Sequence, residues 1–401
     1  MTDLIVIGGG PAGAAAAIEG TRMGLDVVVL DKAQFPRDKC CGDGLTANAL
    51  RQLDALELDP ASVPSWNVID DVVLVDPAGR SRTFPLPRGK GQFAAVARRN
   101  ELDVALLRRA RSVGATVHEE AEVVAVRPTD KSVTATTSAG DTFTGRYLLA
   151  ADGMWSPTRR LLGLTQPGYR GEWHAARQYL TNVSLAAQRD FVVWFDPDFL
   201  PGYVWSFPLA DGSVNVGFGV VRASDRKGRD LKALWSNVLD RPSLREFLGP
   251  SALAETRYAA WPIPAALGRL PLTHGRVFFA GDAAAATDPM SGEGIGQALE
   301  TGRLAAETIA IAGPLGSATE AAENYERRLR QGMVKDHALA GLLSRGLSTS
   351  AGANVSLGLA GLTPWTRRNF VRWLFEDYPR AIVRTPRRWR RGVVGAHGAY
   401  S

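Results

Sequence analysis

Residues 4–31 read LIVIGGGPAGAAAAIEGTRMGLDVVVLD. Two short apolar runs enclose a glycine-rich turn and an alanine-rich segment, and uninterrupted apolar runs of this length are typical of buried strands. Alanine is the strongest helix former, so the segment between the runs predicts a helix. The predicted order is strand, glycine turn, helix and strand, over Leu4–Ile7, Gly8–Gly13, Ala14–Met23 and Leu25–Leu30.

The glycine spacing in this stretch predicts a dinucleotide site. Gly8 allows a tight turn, Gly10 lets the backbone approach a pyrophosphate, and Gly13 lets the helix pack closely on the strand. Pro11 and Ala12 lie where the turn enters the helix. The helix would therefore present its unpaired N–H groups and the positive end of its dipole to the phosphates.

An acid follows the second strand. Asp31 lies 18 residues after Gly13 and precedes Lys32. A carboxylate at this distance can accept hydrogen bonds from a ribose diol, and it disfavours a 2′-phosphate. We therefore predict a bound adenosine ribose, against the alternative of a glycine-rich turn that binds nothing.

The charge of the chain is concentrated near one end. The 401 residues carry a formal net charge of +6, and residues 367–391 hold nine arginines against two acids. No nucleic-acid-binding motif accompanies these arginines, so we predict no nucleic-acid partner. The tryptophans among them, Trp365, Trp373 and Trp389, suggest either docking on an anionic membrane surface or a solvated helical face.

Cysteines and histidines limit the other possibilities. Cys40 and Cys41 are the only cysteines and are adjacent, so a structural disulfide would be strained and a reducing compartment is expected. The five histidines show no metal-ligand spacing, so no metal is predicted. We see neither a basic leader nor an apolar run of membrane-spanning length, and we expect a cytoplasmic location, with possible peripheral contact at the inner face of the membrane.

Two further motifs follow predicted strands. Asp152-Gly153 comes after the strand Tyr147–Ala151, and Gly281-Asp282 comes after Val277–Ala280. Pro289, Gly292 and Gly294 then lead into a long apolar helix. The other predicted elements are helices at Ala47–Leu58, Asn100–Val113 (capped by Asn100), Asp230–Leu248 and Ile295–Ile311, a hairpin of Val72–Val75 with Arg82–Pro85, and strands at Thr116–Val126, Ser132–Ser138, Asp141–Gly145 and Val214–Val221.

Together, the glycine turn with Asp31, Asp152-Gly153 and Gly281-Asp282 resemble the FAD-binding fold of the aromatic-hydroxylase type. The resemblance implies an α/β (α+β) chain with a Rossmann-like FAD-binding domain, an interleaved antiparallel β-sheet substrate domain and a helical C-terminal region. It also implies that Asp282 binds the ribityl chain and that Arg99, in Arg99-Asn100-Glu101-Leu102-Asp103, helps to hold the cofactor. The helix that begins near Gly292 would aim its N-terminus at the flavin and stabilise the anionic reduced form.

Within that fold, two stretches are similar to the geranylgeranyl reductase family. Tyr203-Val204-Trp205-Ser206-Phe207-Pro208 matches the family's Tyr-x-Trp-x-Phe-Pro, and Lys39-Cys40-Cys41-Gly42 matches its Lys-x-Cys-Gly beside the flavin. One departure is that Pro201 stands two residues before Tyr203, where some members have Pro-x-x-Tyr. The cofactor-binding residues implied in all are Gly8, Gly10, Pro11, Ala12, Gly13, Asp31, Lys32, Lys39, Cys41, Gly42, Arg99, Asp152, Gly153, Gly281, Asp282, Pro289, Gly292, Gly294 and Ile295.

The family match implies reduction of isolated prenyl double bonds by hydride from the flavin and a proton. Tyr203, Trp205 and Phe207 alternate on one predicted strand, so their side chains point to one face. There they would bind substrate, and an aromatic wall can stabilise a developing tertiary cation. We expect Cys41, Tyr203 and Trp205 to be catalytic, although the aromatics could be ordinary core and Cys41 could either protonate the alkene or shape the pocket.

The predicted domains interleave along the chain. Residues 1–66, 96–165 and 272–312 form the FAD-binding domain, residues 67–95 and 166–271 the substrate-binding domain, and residues 313–401 the C-terminal helical region. The substrate is predicted to be a geranylgeranyl lipid or an isoprenoid quinone tail such as that of menaquinone. A monooxygenase, a halogenase and a non-catalytic flavoprotein remain alternatives because one fold serves several functions. The external reductant, NAD(P)H or ferredoxin, is left open.

Overall fold

The computed structural model describes residues 1–222, 231–313, 316–389 and 395–401. The strands are β1 (Thr2–Ile7), β2 (Val27–Leu30), β3 (Gly44–Leu45), β4 (Asn67–Val68), β5 (Asp71–Val75), β6 (Ser81–Pro85), β7 (Ala95–Val96), β8 (Thr116–His118), β9 (Val123–Pro128), β10 (Val133–Thr137), β11 (Thr142–Ala150), β12 (Trp173–Thr181), β13 (Phe191–Trp194), β14 (Tyr203–Pro208), β15 (Val214–Val221), β16 (Leu253–Ala254), β17 (Ala259–Ile263), β18 (Thr273–His274) and β19 (Val277–Phe279). The helices are α1 (Pro11–Arg22), α2 (Ala47–Ala55), α3 (Arg99–Ser112), α4 (Pro157–Leu161), α5 (Leu185–Arg189), α6 (Leu231–Leu239), α7 (Pro242–Leu248), α8 (Ile295–Ala312), α9 (Ala318–Gln331), α10 (Met333–Gly346), α11 (Ser350–Ala360) and α12 (Pro364–Leu374).

The first sheet brings the predicted motifs to one edge. Its order is β18-β19-β11-β1-β2-β8, and the pairs β19–β11, β11–β1, β1–β2 and β2–β8 are parallel. Ile7 pairs with both Leu30 and Ala150, and Ala150 pairs with Phe279. The residues that follow these strand ends therefore meet at the carboxyl edge, where open α/β sheets bind ligands.

Helix α1 lies unusually close to its neighbours. A Cβ on Gly13 would lie 1.8 Å from the Gly8 oxygen, so glycine is needed for the helix to pack on the turn. A Cβ on Gly302 of α8 would likewise lie 2.0 Å from the Ala12 oxygen. These contacts hold the start of α1 against both the sheet and α8, which fixes the position of its N-terminus.

The second sheet runs β16-β12-β15-β14-β13-β5-β6, with β17 paired to β12. It is antiparallel except for the pair β13–β5. Apolar residues of α6 and α7, including Trp235, Val238 and Leu248, pack with Val216 and Phe218 of β15 in one buried cluster. A separate cluster joins Trp205 and Phe207 to residues of α11 and α12.

The α/β architecture expected from the sequence is confirmed, but several boundaries were wrong. The predicted strand Thr116–Val126 is two strands, β8 and β9, whereas Asp141–Gly145 and Tyr147–Ala151 form one strand, β11. The predicted helix Asp230–Leu248 is divided into α6 and α7, and residue 230 lies outside the described ranges. Asn100 does not cap α3, because that helix begins at Arg99 and its N-cap is Arg98.

Candidate active site

A cavity of about 690 Å³ brings the two sheets and the C-terminal helices together. The carboxyl edge of the first sheet and the start of α1 line one part of it. Side chains of β13 and β14, and those of α11 and α12, line another part. The site residues predicted from the sequence that line this cavity are Gly8, Gly10, Pro11, Ala12, Asp31, Lys32, Lys39, Cys41, Gly42, Arg99, Asp152, Gly153, Tyr203, Trp205, Phe207, Gly281, Asp282, Gly292, Gly294 and Ile295.

Two predicted cofactor residues do not line the cavity. Gly13 instead serves the close packing of α1 on the turn. The Pro289 backbone oxygen accepts a hydrogen bond from Trp173 Nε1 at 3.3 Å. Both residues therefore support residues that line the cavity but do not line it themselves.

The start of α1 offers an anion site. Gly10 is its N-cap, and within the described residues no side chain caps the helix. A Cβ on Gly10 would lie 3.3 Å from Arg37 Nη2, so a guanidinium lies beside the exposed N–H groups. Arg37 is held by Asp103, with Nη1 and Oδ2 3.4 Å apart. A helix N-terminus and an arginine are the groups that bind phosphate oxygens.

The neighbouring carboxylates hold the surrounding backbone. Asp31 accepts hydrogen bonds from the N–H groups of Gly9 at 2.6 Å and Ala33 at 2.8 Å, and each oxygen keeps a lone pair for a ribose diol. Asp152 Oδ2 accepts from Thr158 N at 2.8 Å, but its Oδ1 has no hydrogen-bond partner among the described residues. Burial raises the pKa of Asp152. Its Oδ1 can accept a hydrogen bond from a polar ligand because no described residue bonds to it.

Asp282 follows strand β19 and Arg99 begins helix α3, and both residues line the cavity. Lys39 Nζ lies 3.7 Å from Asp282 Oδ2 and 4.3 Å from the centre of the Trp261 ring. Burial lowers the pKa of Lys39 although Asp282 opposes the effect. Arg99 is buried and makes two hydrogen bonds of 3.0 Å to Asp103, one turn later in α3.

Helix α8 begins where predicted, but its first N–H groups are bonded to a side chain of this chain. The helix begins at Ile295, and Glu293 Oε1 accepts hydrogen bonds from the N–H groups of Ile295 at 2.9 Å and Gly296 at 3.0 Å. Burial raises the pKa of Glu293 to about 7, although these two bonds oppose the rise. The helix end predicted to face a ligand therefore already carries a carboxyl group of this chain.

The predicted aromatic face is present. Tyr203 donates its O–H to the backbone oxygen of Ser291, and Trp205 Nε1 donates to Asn215 Oδ1 at 3.0 Å. Phe207 stacks on Phe191, with ring centroids 3.8 Å apart. These rings, held by their contacts, give the cavity an apolar wall.

Cys41 lies beside this wall. Burial raises the pKa of its thiol to about 11, so the group is a neutral thiol near pH 7. Its Sγ lies 3.4 Å from the N–H of Asp43, and its backbone oxygen accepts from Asn215 Nδ2 at 2.9 Å. The loop that carries Cys41 is thus bonded to the strand next to Trp205.

The C-terminal helices form a wall that sequence reasoning missed. Trp373 was expected on the outer surface, but it lines the cavity and donates its Nε1 to the Arg380 oxygen. Three of the C-terminal arginines pair internally, Arg372 with Asp377, Arg380 with Asp288 and Arg388 with Asp336, while residues 390 and 391 lie outside the described ranges. Other lining residues that were missed include Arg37, Asp43, Glu293, Trp173, Trp261, Phe191, Phe195, Leu343, Leu347, Leu357, Phe370, Leu374 and Phe375.

Across the described ranges, no group of three or more histidine, cysteine or acidic side chains is arranged to hold a metal ion. The described helices also include none with the length and hydropathy to span a bilayer.

Several known proteins are similar to this chain in sequence. The family model for the FAD binding domain matches residues 1–321. Menaquinone reductase of Mycobacterium tuberculosis H37Rv is 36% identical over 335 residues, which cover 77% of this chain and 76% of that protein. Digeranylgeranylglycerophospholipid reductase 2 of Methanopyrus kandleri is 29% identical over 318 residues, covering 77% of each chain.

Solved structures share the fold at lower identity. A geranylgeranyl bacteriochlorophyll reductase-like protein from Thermoplasma acidophilum superposes with a TM-score of 0.80 and 20% identity, over 97% of this chain and 99% of that one. A point mutant of the halogenase PltM in complex with FAD has a TM-score of 0.73 and 18% identity, over 98% of this chain and 85% of the other. The chain therefore belongs to the family of FAD-binding oxidoreductases that includes the geranylgeranyl and menaquinone reductases.

Proposed function

We propose that this protein uses FAD to saturate carbon–carbon double bonds of a prenyl chain. The carrying observation is a single cavity whose walls include both the dinucleotide motifs and a continuous apolar, aromatic surface. A polar nucleotide cofactor and an apolar prenyl chain can bind side by side only in a cavity that has both polar and apolar lining. The names of the reductase relatives support the same substrate class.

The residues present fit FAD. The uncapped start of α1 and Arg37 suit the pyrophosphate, and Asp31 suits the adenosine ribose. We infer that Asp282, which pairs with Lys39 and lines the cavity, would hold the ribityl chain. Bound FAD would supply the hydride once an external donor has reduced it. Because the sequence has no second dinucleotide fingerprint, we infer that this donor, NAD(P)H or ferredoxin, docks transiently.

The chain's own residues would supply the proton and the environment. An isolated alkene is unactivated, so protonation at one carbon leaves positive charge at the other. The faces of Tyr203 and Trp205 can stabilise such a cation, and Cys41 keeps a proton near pH 7 because of its raised pKa. We propose that Cys41 donates this proton and that the aromatic wall, with Phe207, holds the substrate.

The substrate we favour is an isoprenoid quinone tail, with a geranylgeranyl lipid second. The menaquinone reductase is 36% identical to this chain and the digeranylgeranylglycerophospholipid reductase is 29% identical. We further propose that residues 1–66, 96–165 and 272–312 hold FAD and that residues 67–95 and 166–271 hold substrate, while the helical region 313–401 closes the lipid end of the cavity.

We also infer peripheral contact with an anionic membrane surface. In the described part of residues 335–389, the exposed charged side chains are all basic: Lys335, Arg345, Arg368, Arg384 and Arg387. Exposed apolar residues lie among them: Leu342, Leu343, Val355, Leu359, Leu362, Trp365, Val383 and Trp389. Apolar side chains and cations together suit a lipid surface, and the same helices line the cavity that a lipid would enter.

The test is anaerobic incubation of the holoenzyme, reduced with dithionite, with menaquinone or with geranylgeranyl diphosphate. Mass spectrometry of the extracted lipid follows. After any quinol has been reoxidised to the quinone, a gain of two hydrogens per saturated bond of the prenyl tail is expected, with menaquinone the faster substrate. An unchanged lipid mass for both compounds would contradict the proposal.

A further inference from the structure

Asp43 is a buried acid in the cavity wall that the proposed mechanism does not yet use. It lies two residues after Cys41, its side chain is fully buried, and it borders the cavity. Its φ is 65°, in the left-handed region that non-glycine residues rarely adopt. Such conformations cluster at functional sites, where the surrounding contacts enforce them.

The contacts of Asp43 join the Cys41 loop to the aromatic wall. Its Oδ2 accepts hydrogen bonds from the Tyr179 O–H at 2.5 Å and from Asn215 Nδ2 at 2.9 Å. The same Asn215 amide bonds the Cys41 carbonyl and the Trp205 indole. The second carboxyl oxygen, Oδ1, makes no hydrogen bond within the described residues, although it is buried. One oxygen is thus anchored and the other is free to carry a proton.

The other acids around the site suit proton storage less well. Burial raises the pKa of Cys41 to about 11 and that of Tyr203 above its usual value, so both groups hold their protons tightly and neither is suited to give a stored proton to another side chain. Glu293 already accepts two helix N–H groups. Burial raises the pKa of Asp43 to about 6, opposed by the bonds from Tyr179 and Asn215 and by the charges of Arg177 and Arg99. These groups, with Cys41, are the charged or titratable neighbours of Asp43.

Resting on the function proposed above, we propose that Asp43 is a positioning residue that stores a proton for Cys41. The alkene receives a hydride on one carbon and the Cys41 proton on the other, so the double bond is lost and Cys41 becomes a thiolate. Asp43 then gives its proton to that thiolate and becomes a carboxylate, which solvent reprotonates between turnovers. The two electrons come from the reduced cofactor.

The test compares wild type with Asp43→Asn, in which a neutral amide of the same shape cannot donate this proton. Anaerobic turnover of prenyl substrate is measured from pH 5 to 8. Wild type is expected to slow as pH rises through about 6, approaching tenfold per unit. The variant is expected to be at least tenfold slower at pH 6 and flat with pH. Wild-type rates and an unchanged profile in the variant would overturn the proposal.

Tyr179→Phe separates proton storage from mere structural support. Its hydroxyl lowers the pKa of Asp43, so its removal should move the slowing to higher pH. If turnover of Tyr179→Phe slows at the same pH as wild type, or at a lower pH, proton storage is contradicted even if Asp43→Asn fails to fold. Asp70→Asn, at an exposed position, is the matched control and should leave the profile unchanged.

Infrared titration of the oxidised holoenzyme is independent of substrate. A carboxyl C=O band should titrate near pH 6 in wild type, be absent in Asp43→Asn, and move to higher pH in Tyr179→Phe. A missing band overturns the Asp43 proposal alone. If the band titrates but no prenyl substrate is ever reduced, the proposed function fails instead, and with it the role of Asp43 as its proton store.

Discussion

Asn215 donates its side-chain amide to the backbone oxygen of Cys41 at 2.9 Å, across 174 residues of sequence. The same side chain accepts the indole N–H of Trp205. One buried amide therefore fixes the distance between the thiol loop and the aromatic wall. Polar groups buried in this way specify a geometry because every alternative leaves a donor unpaired.

Asn215→Ala should loosen the contact between the Cys41 loop and the aromatic wall. It leaves the Trp205 N–H without its acceptor, and a buried unpaired group costs about 1–3 kcal/mol. We expect the free energy of unfolding to fall by at least about this amount, and turnover to fall more than FAD binding. Urea unfolding measures the first effect, with Asn354→Ala as control because its bond to Arg80 is exposed. Equal losses in the two variants would contradict the assignment.

Gly217→Ala should displace the Trp205 ring. A Cβ there would lie 2.3 Å from the indole Cζ2 and 2.4 Å from the Ala176 oxygen. Overpacking of this kind costs about 1–3 kcal/mol of folding stability, and we expect turnover to fall as well because the displaced Trp205 ring changes the shape of the cavity wall. Gly358→Ala is the matched control, because its Cβ meets nothing within 4 Å in α11, and it should be neutral or stabilising.

Arg37→Ala should weaken FAD binding with little effect on folding. The guanidinium lies beside the uncapped start of α1, and a hydrogen bond to a charged group contributes about 1.5–3 kcal/mol. The Kd for FAD, measured by flavin fluorescence, should rise by about tenfold or more. Arg88→Ala removes an exposed arginine paired with Asp71 and should leave the Kd unchanged. An unchanged Kd for Arg37→Ala would exclude a phosphate contact.

Glu293 gives a pH prediction for the cofactor-free protein. Because its pKa is raised from 4.5 to about 7, the folded state binds this proton more tightly than the unfolded chain does. Wild type should therefore lose stability relative to Glu293→Gln as pH rises from about 4.5 to about 7, and the difference should then level off. Thermal unfolding of both proteins across this range measures it. Parallel stability curves would show that Glu293 carries no raised pKa.

The membrane contact is testable with vesicles. Leu362 and Trp365 are each 69% exposed beside Arg368, so the double variant Leu362→Ser, Trp365→Ser should reduce binding to anionic vesicles several-fold. Leu185→Ser, at an 82% exposed leucine on α5, is the control. Binding of wild type should weaken with salt and with neutral lipid. Equal sedimentation of all three proteins would place the membrane contact elsewhere.

All the residues predicted to hold the cofactor line the cavity except Gly13 and Pro289, because the signals that single them out are local. Gly8, Gly10 and Asp31 act through turns and strand ends that a short window defines. The aromatic wall of the cavity was predicted only in part. Tyr203, Trp205 and Phe207 share a strand, but Phe191 and Trp373 reach the same cavity from β13 and α12.

No local pattern brings such distant elements together, and for the same reason Trp373 was wrongly expected at the surface. Arg37 and Glu293 lie inside the motifs that were singled out, beside Lys39 and between Gly292 and Gly294. The acid immediately before a helix start was the available signal for Glu293.

The most direct test of prenyl reduction uses holoenzyme with chemically reduced flavin, mixed with a prenyl quinone in matched anaerobic and aerated samples. Flavin absorbance and lipid mass are followed together. The account predicts that the substrate reoxidises the flavin without oxygen and that the prenyl tail gains two hydrogens, with the lipid mass read after any quinol has been returned to the quinone. Reoxidation only in the aerated sample, with no hydrogens gained, would contradict it and point to an oxygenase.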